Sequence, residues 1–184
     1  LILDLGCGAN KKPGCVGVDC CAVEGVDVVH DLFTFPWPFE DGAAEAVKCS
    51  HFFEHVPAAL RPAFMREIWR VLVPGGTAEI ATPLGLWRQC QDFTHEWPPI
   101  VPASYLYFNH AWVRGHGMQH YIDRFGLPDF DVSIDGLYMA EGFASLDEKE
   151  AIEAATNIMN AVDDLVVTLT KRTGPAKASA EKNG

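Results

Sequence analysis

The chain opens on Leu1-Ile2-Leu3-Asp4-Leu5 and turns at once into Gly6-Cys7-Gly8. A short apolar run closed by Gly-x-Gly reads as a buried parallel strand ending in a tight turn, where missing Cβ atoms let the backbone approach a ligand closely. Alone the pattern is weak, because a plain glycine turn also explains it. Two further runs, Cys15–Asp19 (CVGVD) and Val26–His30 (VDVVH), narrow it; the first ends on Asp19 and the second is followed by Asp31. Glu45–Ser50 (EAVKCS) and Thr77–Thr82 (TAEIAT) predict a fourth and fifth strand, Phe130–Met139 a sixth, and the β-branched Asp164–Thr170 a last. Leu60, Phe64, Ile68 and Leu72 recur every four residues and predict a helix, with Pro57 and Pro62 at its start and Pro74-Gly75-Gly76 as its stop. Ser145-Leu146-Asp147-Glu148 has the form of a capping box and predicts a second helix over Asp147–Val162. Strands alternating with crossovers point to a parallel α/β sheet. About ten residues separate Leu5 from Val16, fewer than a helical crossover wants. The first connections are therefore expected to be turns or loops.

At 184 residues the chain is expected to form one domain over 1–173, with a small polar tail, 174–184, expected to be disordered. Gly85–Pro128 is aromatic and Pro-rich without a clean period and reads as an insertion or lid. Leu1 in place of Met reads as a truncated or processed start. No run is long and apolar enough for a membrane helix, and there is no signal peptide. The net charge of −11 argues against extended nucleic-acid binding, which wants a basic face, but leaves room for a small nucleotide-like ligand. Six cysteines without a CxxC pattern read as reduced thiols of a cytoplasmic protein. The adjacent pair Cys20-Cys21 is open to a redox reading.

The chemistry gathers at strand ends. Asp19 closes the second strand eleven residues after Gly8, where a carboxylate can accept both hydroxyls of a ribose. Asp31 closes the third and could meet an adenine amine or nearby backbone. Either acid could simply be solvated; three such features in order at three successive strand ends are harder to dismiss. A nicotinamide site would carry Gly-x-Gly-x-x-Gly, whereas here Gly6-Cys7-Gly8 runs into Ala9-Asn10-Lys11. The phosphate-loop pattern is absent as well.

Taken together, LDLGCG, GVD, HDL-x-x-FPWPFEDG, CSHFFEHV and REIWRVLVPGGTAEIATP make Leu1–Pro83 resemble the class I S-adenosylmethionine-dependent methyltransferases. It is similar to a compact branch with a short loop, here Ala9–Gly14, in place of the first helix. The resemblance implies a Rossmann-like, three-layer α/β/α fold. Its seven-stranded sheet would be mostly parallel, with the last strand antiparallel and inserted beside TAEIAT. It implies S-adenosylmethionine as cofactor, with the methionine part against Asp4, Gly6, Cys7 and Gly8, ribose on Asp19, and adenine near Asp31 and Leu32. Ser50 and His51 would face the sulfonium. The expected activity is methyl transfer to an oxygen or nitrogen nucleophile, most simply of a small molecule. The alternative is a binding protein that keeps the fold and the cofactor without turnover.

A base is needed only where the acceptor must lose a proton. Candidates beyond the fifth strand are Asp92, His95 and Glu96, then His110, His116 and His120. Asp-x-Thr-His resembles a recurring element of this branch, so His95 is expected to line the acceptor pocket, with His55 as a second catalytic candidate. His95 could instead fix its own loop, and His55 could be a helix-end histidine with a structural hydrogen bond. His116 and His120 have i, i+4 spacing, but Gly115 and Gly117 argue against a helix there, and no metal is expected. Ser50-His51-Phe52-Phe53 lacks the Pro-Pro-aromatic motif of base-flipping DNA methylases. Tyr105, Tyr107, Phe108 and Trp112 either stack on a planar acceptor or form a small core. The oligomeric state is left open.

Overall fold

The computed structural model describes residues 1–84, 90, 92–157 and 161–173, so the expected disordered tail lies outside the described residues. Seven strands form one sheet: β1 (Ile2–Leu5), β2 (Val16–Asp19), β3 (Val28–Val29), β4 (Ala44–Ser50), β5 (Leu72–Pro83), β6 (Phe130–Met139) and β7 (Val162–Lys171). Their order is β3-β2-β1-β4-β5-β7-β6. β1, β2, β3, β4 and β5 pair in parallel, while β7 runs antiparallel between β5 and β6. β7 therefore inserts beside β5, as the resemblance implied.

The sheet switches direction at β1. From there the chain steps to β2 on one side, and β4 steps to β5 on the other, so right-handed crossovers send the two sets of connections over opposite faces. One face is closed by helix α1 (Arg61–Val71). Leu3, Leu5, Val47, Ala78, Ile80, Leu165, Val167 and Leu169 point into it and form one core with Phe64, Met65, Ile68 and Val71. The other face carries the polar side chains of the central strands. There Asp4, Lys48, Glu79, Thr168 and Ser133 lie in one row across the strands, and Lys48 pairs with Glu79 at 2.8 Å. Of the three layers expected, this outer one is thin, because Ala9–Gly14 contains turns and no helix.

Several boundaries moved. α1 ends at Val71 and β5 starts at Leu72, ahead of the expected Thr77. Ala44 pairs with Leu72 and Ala46 with Thr77, so Val73–Gly76 bulges against Glu45 alone. The Pro-Gly-Gly that reads as a helix stop thus serves as a bulge, with Gly75 at φ +80°. From Pro102 onward the expected insertion forms three short helices: α2 (Pro102–Leu106), α3 (His110–Gly115) and α4 (Gln119–Phe125). Tyr105 and Phe108 are buried in the core, and Tyr107 packs edge-on to Trp112 and Tyr121. For Tyr105 and Phe108 in particular, the small-core reading holds. Helix α5 (Glu148–Asn157) is capped by Asp147 rather than Ser145. Asp147 Oδ1 accepts the Glu150 amide at 2.9 Å, and Glu150 Oε2 accepts that of Asp147 at 3.2 Å. Its expected end at Val162 already belongs to β7.

The aromatic loop between β3 and β4 is fastened to α1 by a buried carboxylate. Glu67 Oε2 accepts the Trp37 amide at 2.8 Å, and Arg70 donates to both Glu67 oxygens at 2.8 and 2.7 Å. Arg70 also donates to the Phe39 and Trp37 carbonyls. Burial pushes the Glu67 carboxyl up, but the hydrogen bonds from Arg70 and Trp37 outweigh it and hold the carboxyl below its usual range. Glu67→Gln is expected to cost roughly 1.5–3 kcal/mol in urea unfolding at pH 7. Because the folded pKa is depressed, this stabilisation is complete above the ordinary glutamate pKa of about 4.3 and is lost as pH falls through the folded value. The wild-type and Glu67→Gln midpoints should converge on acidification.

Candidate active site

The tip of β1 is built around two glycines. Gly6 sits at φ +66°, and a Cβ there would overlap the Phe52 ring; its amide donates to the Val18 carbonyl at 2.8 Å. Gly8, at φ +49°, faces open space. Asp19 holds this turn, Oδ2 accepting the Gly8 amide at 2.9 Å and Oδ1 the Cys21 amide at 3.0 Å. Asp4 is 3% exposed; its Oδ2 accepts the Lys12 amide at 2.7 Å, and the Lys12 ammonium lies 3.9 Å from Oδ1. A cavity of about 420 Å³ is lined by Asp4, Gly6, Cys7, Gly8, Asp19, Ser50 and His51, joined by Asn10 and Lys12. The sequence reading passed over Asn10 and Lys12; the signal for them was the loop that replaces a helix.

Two expected residues lie elsewhere. Asp31 accepts the Phe33 amide at 2.9 Å and the Thr34 hydroxyl at 3.4 Å, closing a turn after β3. Leu32 is 2% exposed, packed in the core beneath Trp37, whose Nε1 donates to its carbonyl. Neither lines the cavity. The loop after β3 turns Leu32 inward because its apolar side chain is drawn into the core.

His51 ends β4 in a left-handed conformation, φ 53°, uncommon outside glycine. Its Nδ1 lies 3.7 Å from Glu54 Oε1 and its Nε2 3.8 Å from Asp164 Oδ2. His51 also borders a second cavity, of about 500 Å³, walled by Glu54, His55, Pro83, Asp92, Phe93 and His95. The His55 and His95 rings meet with centroids 4.9 Å apart. His55 Nδ1 lies 3.0 Å from the Thr94 hydroxyl and 3.2 Å from its carbonyl. Asp92 Oδ1 accepts the Thr94 hydroxyl at 2.7 Å and amide at 2.8 Å, which holds its carboxyl below the usual range. Arg61 fastens the segment, donating to the carbonyls of Val56, Glu96 and Pro98 at 3.1, 2.9 and 2.7 Å. Arg61 lies off the row formed by Leu60, Phe64, Ile68 and Leu72, and that spacing alone gives it no part in the site.

The remaining candidates separate from this site. His110 is bound to the Leu127 carbonyl and His116 to that of Trp112, each at 2.8 Å. His116 caps α3 while His120 lies in α4, with Gly117 at φ +70° between them; the pair does not share a helix. Glu96 borders a smaller recess beneath His95. All six cysteines are free. Cys20 and Cys21 lie 3.7 Å apart at sulfur, and the Cys20 thiol, hydrogen-bonded to Cys21 and partly buried, is pushed up to about 11, so it is not a ready thiolate.

Strand order, inserted antiparallel strand and cavity at the switch point define a class I, Rossmann-like methyltransferase fold. Residues 22–80 match the family model for the methyltransferase domain. An S-adenosylmethionine-dependent methyltransferase from Archaeoglobus fulgidus superposes with a TM-score of 0.62 at 18% identity, over 92% of this chain and 85% of that one. One from Methanosarcina mazei gives 0.56 at 14% identity, over 94% and 92% of the two chains. A Haloferax volcanii methyltransferase in complex with the Trm112 methyltransferase activator gives 0.52 at 19% identity, over 96% and 83%. At these identities the likeness is one of fold. No curated protein matches the chain in sequence. The match over residues 22–80 and these superpositions agree on the class I, Rossmann-like methyltransferase fold. No helix among the described residues is long and apolar enough to cross a membrane.

The first cavity is of a size that suits a nucleoside ligand. Gly8 leaves open space where a side chain would stand. Gly6→Ala is expected to abolish binding of S-adenosylhomocysteine by calorimetry and to lower stability by about 1–3 kcal/mol, because the new Cβ meets Phe52 and strains the turn. Gly14→Ala, also at positive φ but with open surroundings and outside the cavity, should leave that affinity unchanged.

Proposed function

We propose that the chain methylates an oxygen or nitrogen nucleophile of a small molecule held between His51, His55 and His95. The observation that carries this reading is the shared wall: His51 borders both the cavity at β1 and the one lined by His55 and His95. Ligands in the two cavities would meet at the end of β4. When bound, S-adenosylmethionine supplies a methyl on a sulfonium, which passes to the acceptor's lone pair as the C–S bond breaks and S-adenosylhomocysteine is left.

The chain's own residues bind and align. Asp4 offers a carboxylate to the cofactor's cationic amino group, and Asp19 has lone pairs left for ribose hydroxyls beside its two backbone bonds. Ser50 and His51 stand at the junction. Orientation of donor and nucleophile then provides much of the acceleration. Where the acceptor carries a proton, His95 is placed to take it, with His55 beside it. Glu54, Asp92 and Asp164 make the surroundings acidic, which with the net charge of −11 disfavours a polyanionic acceptor. Six free cysteines fit a reducing compartment such as the cytoplasm.

Calorimetric titration with S-adenosylmethionine and S-adenosylhomocysteine should give micromolar binding, absent with NAD and lost in Asp19→Ala. A folded chain that binds neither would sink the cofactor-site assignment. In a screen of small hydroxylated and amino acceptors, His95→Ala should retain S-adenosylhomocysteine affinity while turnover falls roughly 10²–10⁴-fold. Equal turnover in that variant would remove His95 from the proton-transfer role.

A further inference from the structure

Glu54 raises a question that methyl transfer alone does not answer. It is 4% exposed, and its Oε2 is buried without a hydrogen-bond partner. Among the described residues no lysine or arginine pairs with it, and the His51 ring stands 3.7 Å from the other oxygen. A buried carboxylate oxygen left in this state is costly unless a cation meets it. The neighbours of Glu54 are chemically suited to bring one: a ligand atom from each of Glu54, His55 and His95 lies within 4.8 Å of the others.

We propose that Glu54, His55 and His95 bind a divalent cation of the zinc type in the wall of the acceptor pocket. Two imidazoles and one carboxylate are the donor set of an open catalytic zinc site, which leaves a coordination position for a substrate oxygen. Hard cations such as Mg²⁺ prefer all-oxygen shells and fit this set poorly. A second shell is already in place. Thr94 holds His55 at Nδ1 by carbonyl and hydroxyl, which leaves Nε2 as the nitrogen with a lone pair to give. Asp92 in turn holds the Thr94 hydroxyl at 2.7 Å. Ligands around one zinc stand roughly 3.3 Å apart, given bonds of about 2.0–2.1 Å, so closure asks for a contraction on the order of 1 Å. The segment carrying His95 is already tied beside Glu54 and Arg61 through the Glu96 amide and carbonyl. The sequence pointed away from a metal because the ligands come from two separate segments rather than from one motif.

The site lies inside the acceptor pocket proposed above and rests on that reading. It narrows the acceptor to a molecule presenting an oxygen to the cation. Binding would acidify an acceptor hydroxyl, whose proton leaves to solvent without any change of oxidation state. His55 and His95 then serve as ligands, and the need for a separate base falls away.

The test uses metal-stripped protein with Cys20→Ser and Cys21→Ser, which removes a competing cluster of Asp19, Cys20 and Cys21. Zinc and magnesium are titrated calorimetrically, cobalt by its visible spectrum, and S-adenosylhomocysteine on the same samples. Zinc should bind one to one and magnesium far more weakly. His95→Ala and Glu54→Gln should weaken zinc roughly 100-fold and Thr94→Val about 10-fold, with His116→Ala unchanged and S-adenosylhomocysteine affinity kept throughout. If Glu54→Gln loses S-adenosylhomocysteine binding through misfolding, His95→Ala decides alone. Absence of zinc binding in protein that binds S-adenosylhomocysteine, or zinc binding indifferent to His95→Ala, would overturn the site. Zinc binding with the expected pattern in a chain blind to S-adenosylhomocysteine would uphold it and sink the cofactor-site assignment instead.

Discussion

The contact between Gly6 and Phe52 sets the geometry of the whole site. Gly6 must adopt a positive φ to end β1, and the space its missing Cβ leaves is filled by the Phe52 ring. That ring stacks on Phe64 of α1 and tilts against Phe33 of the loop after β3, with centroids 5.9 and 5.8 Å apart. β1, α1, the β3–β4 loop and the end of β4 therefore register on one another at a single point. His51, immediately before Phe52, is forced into its left-handed conformation there. The residue that borders both cavities thus stands next to the packing that shapes the glycine turn.

The half of the sheet that lacks helices is held by carboxylates instead. In a larger relative of this fold, a helix after β1 would offer its N-terminal amides to the ligand. Here three aspartates gather backbone amides: Asp4 takes that of Lys12 and Asp19 that of Gly8 in the loop, and Asp27 that of Gly17 in β2 at 2.7 Å. Lys11 closes the set with a 2.8 Å bond to Asp27, and these two bonds keep the Asp27 carboxyl below its usual range. The arrangement saves a helix and makes the turn depend on acids, two of which, Asp4 and Asp19, line the first cavity.

Strand identity was legible because buried parallel strands must be short and apolar, and because acids recur where such strands end, whereas the placing of β7 beside β5 came from the resemblance. The residues around the first cavity were legible for the same reason: Gly6, Gly8 and Asp19 sit at positions that the backbone itself dictates. What escaped the sequence was settled by distant contacts. Pro74-Gly75-Gly76 fits a helix stop as well as a bulge, and only pairing with Ala44 and Ala46 decides. The capping box slid from Ser145 to Asp147 because both acids and hydroxyls can cap, and Glu150 completes the second choice. Leu32 follows an acid at a strand end, yet the core claims its side chain.

The second cavity was the least legible because its lining residues share no element. Glu54 and His55 belong to a short turn after β4, while Asp92 and His95 come from a segment beyond β5 with no period of its own. Arg61 brings them together, yet helical spacing alone gives it no part in the site. Its three bonds end on backbone carbonyls, so they constrain the path of the loop and leave its side chains free to differ. The first cavity, in contrast, is fixed by φ angles and by a ring that fills the place of a Cβ. Such constraints leave their mark in glycines and strand-end acids, which a sequence displays, whereas a wall assembled by carbonyl bonds between separate segments leaves none, which is why the first cavity was the more legible of the two.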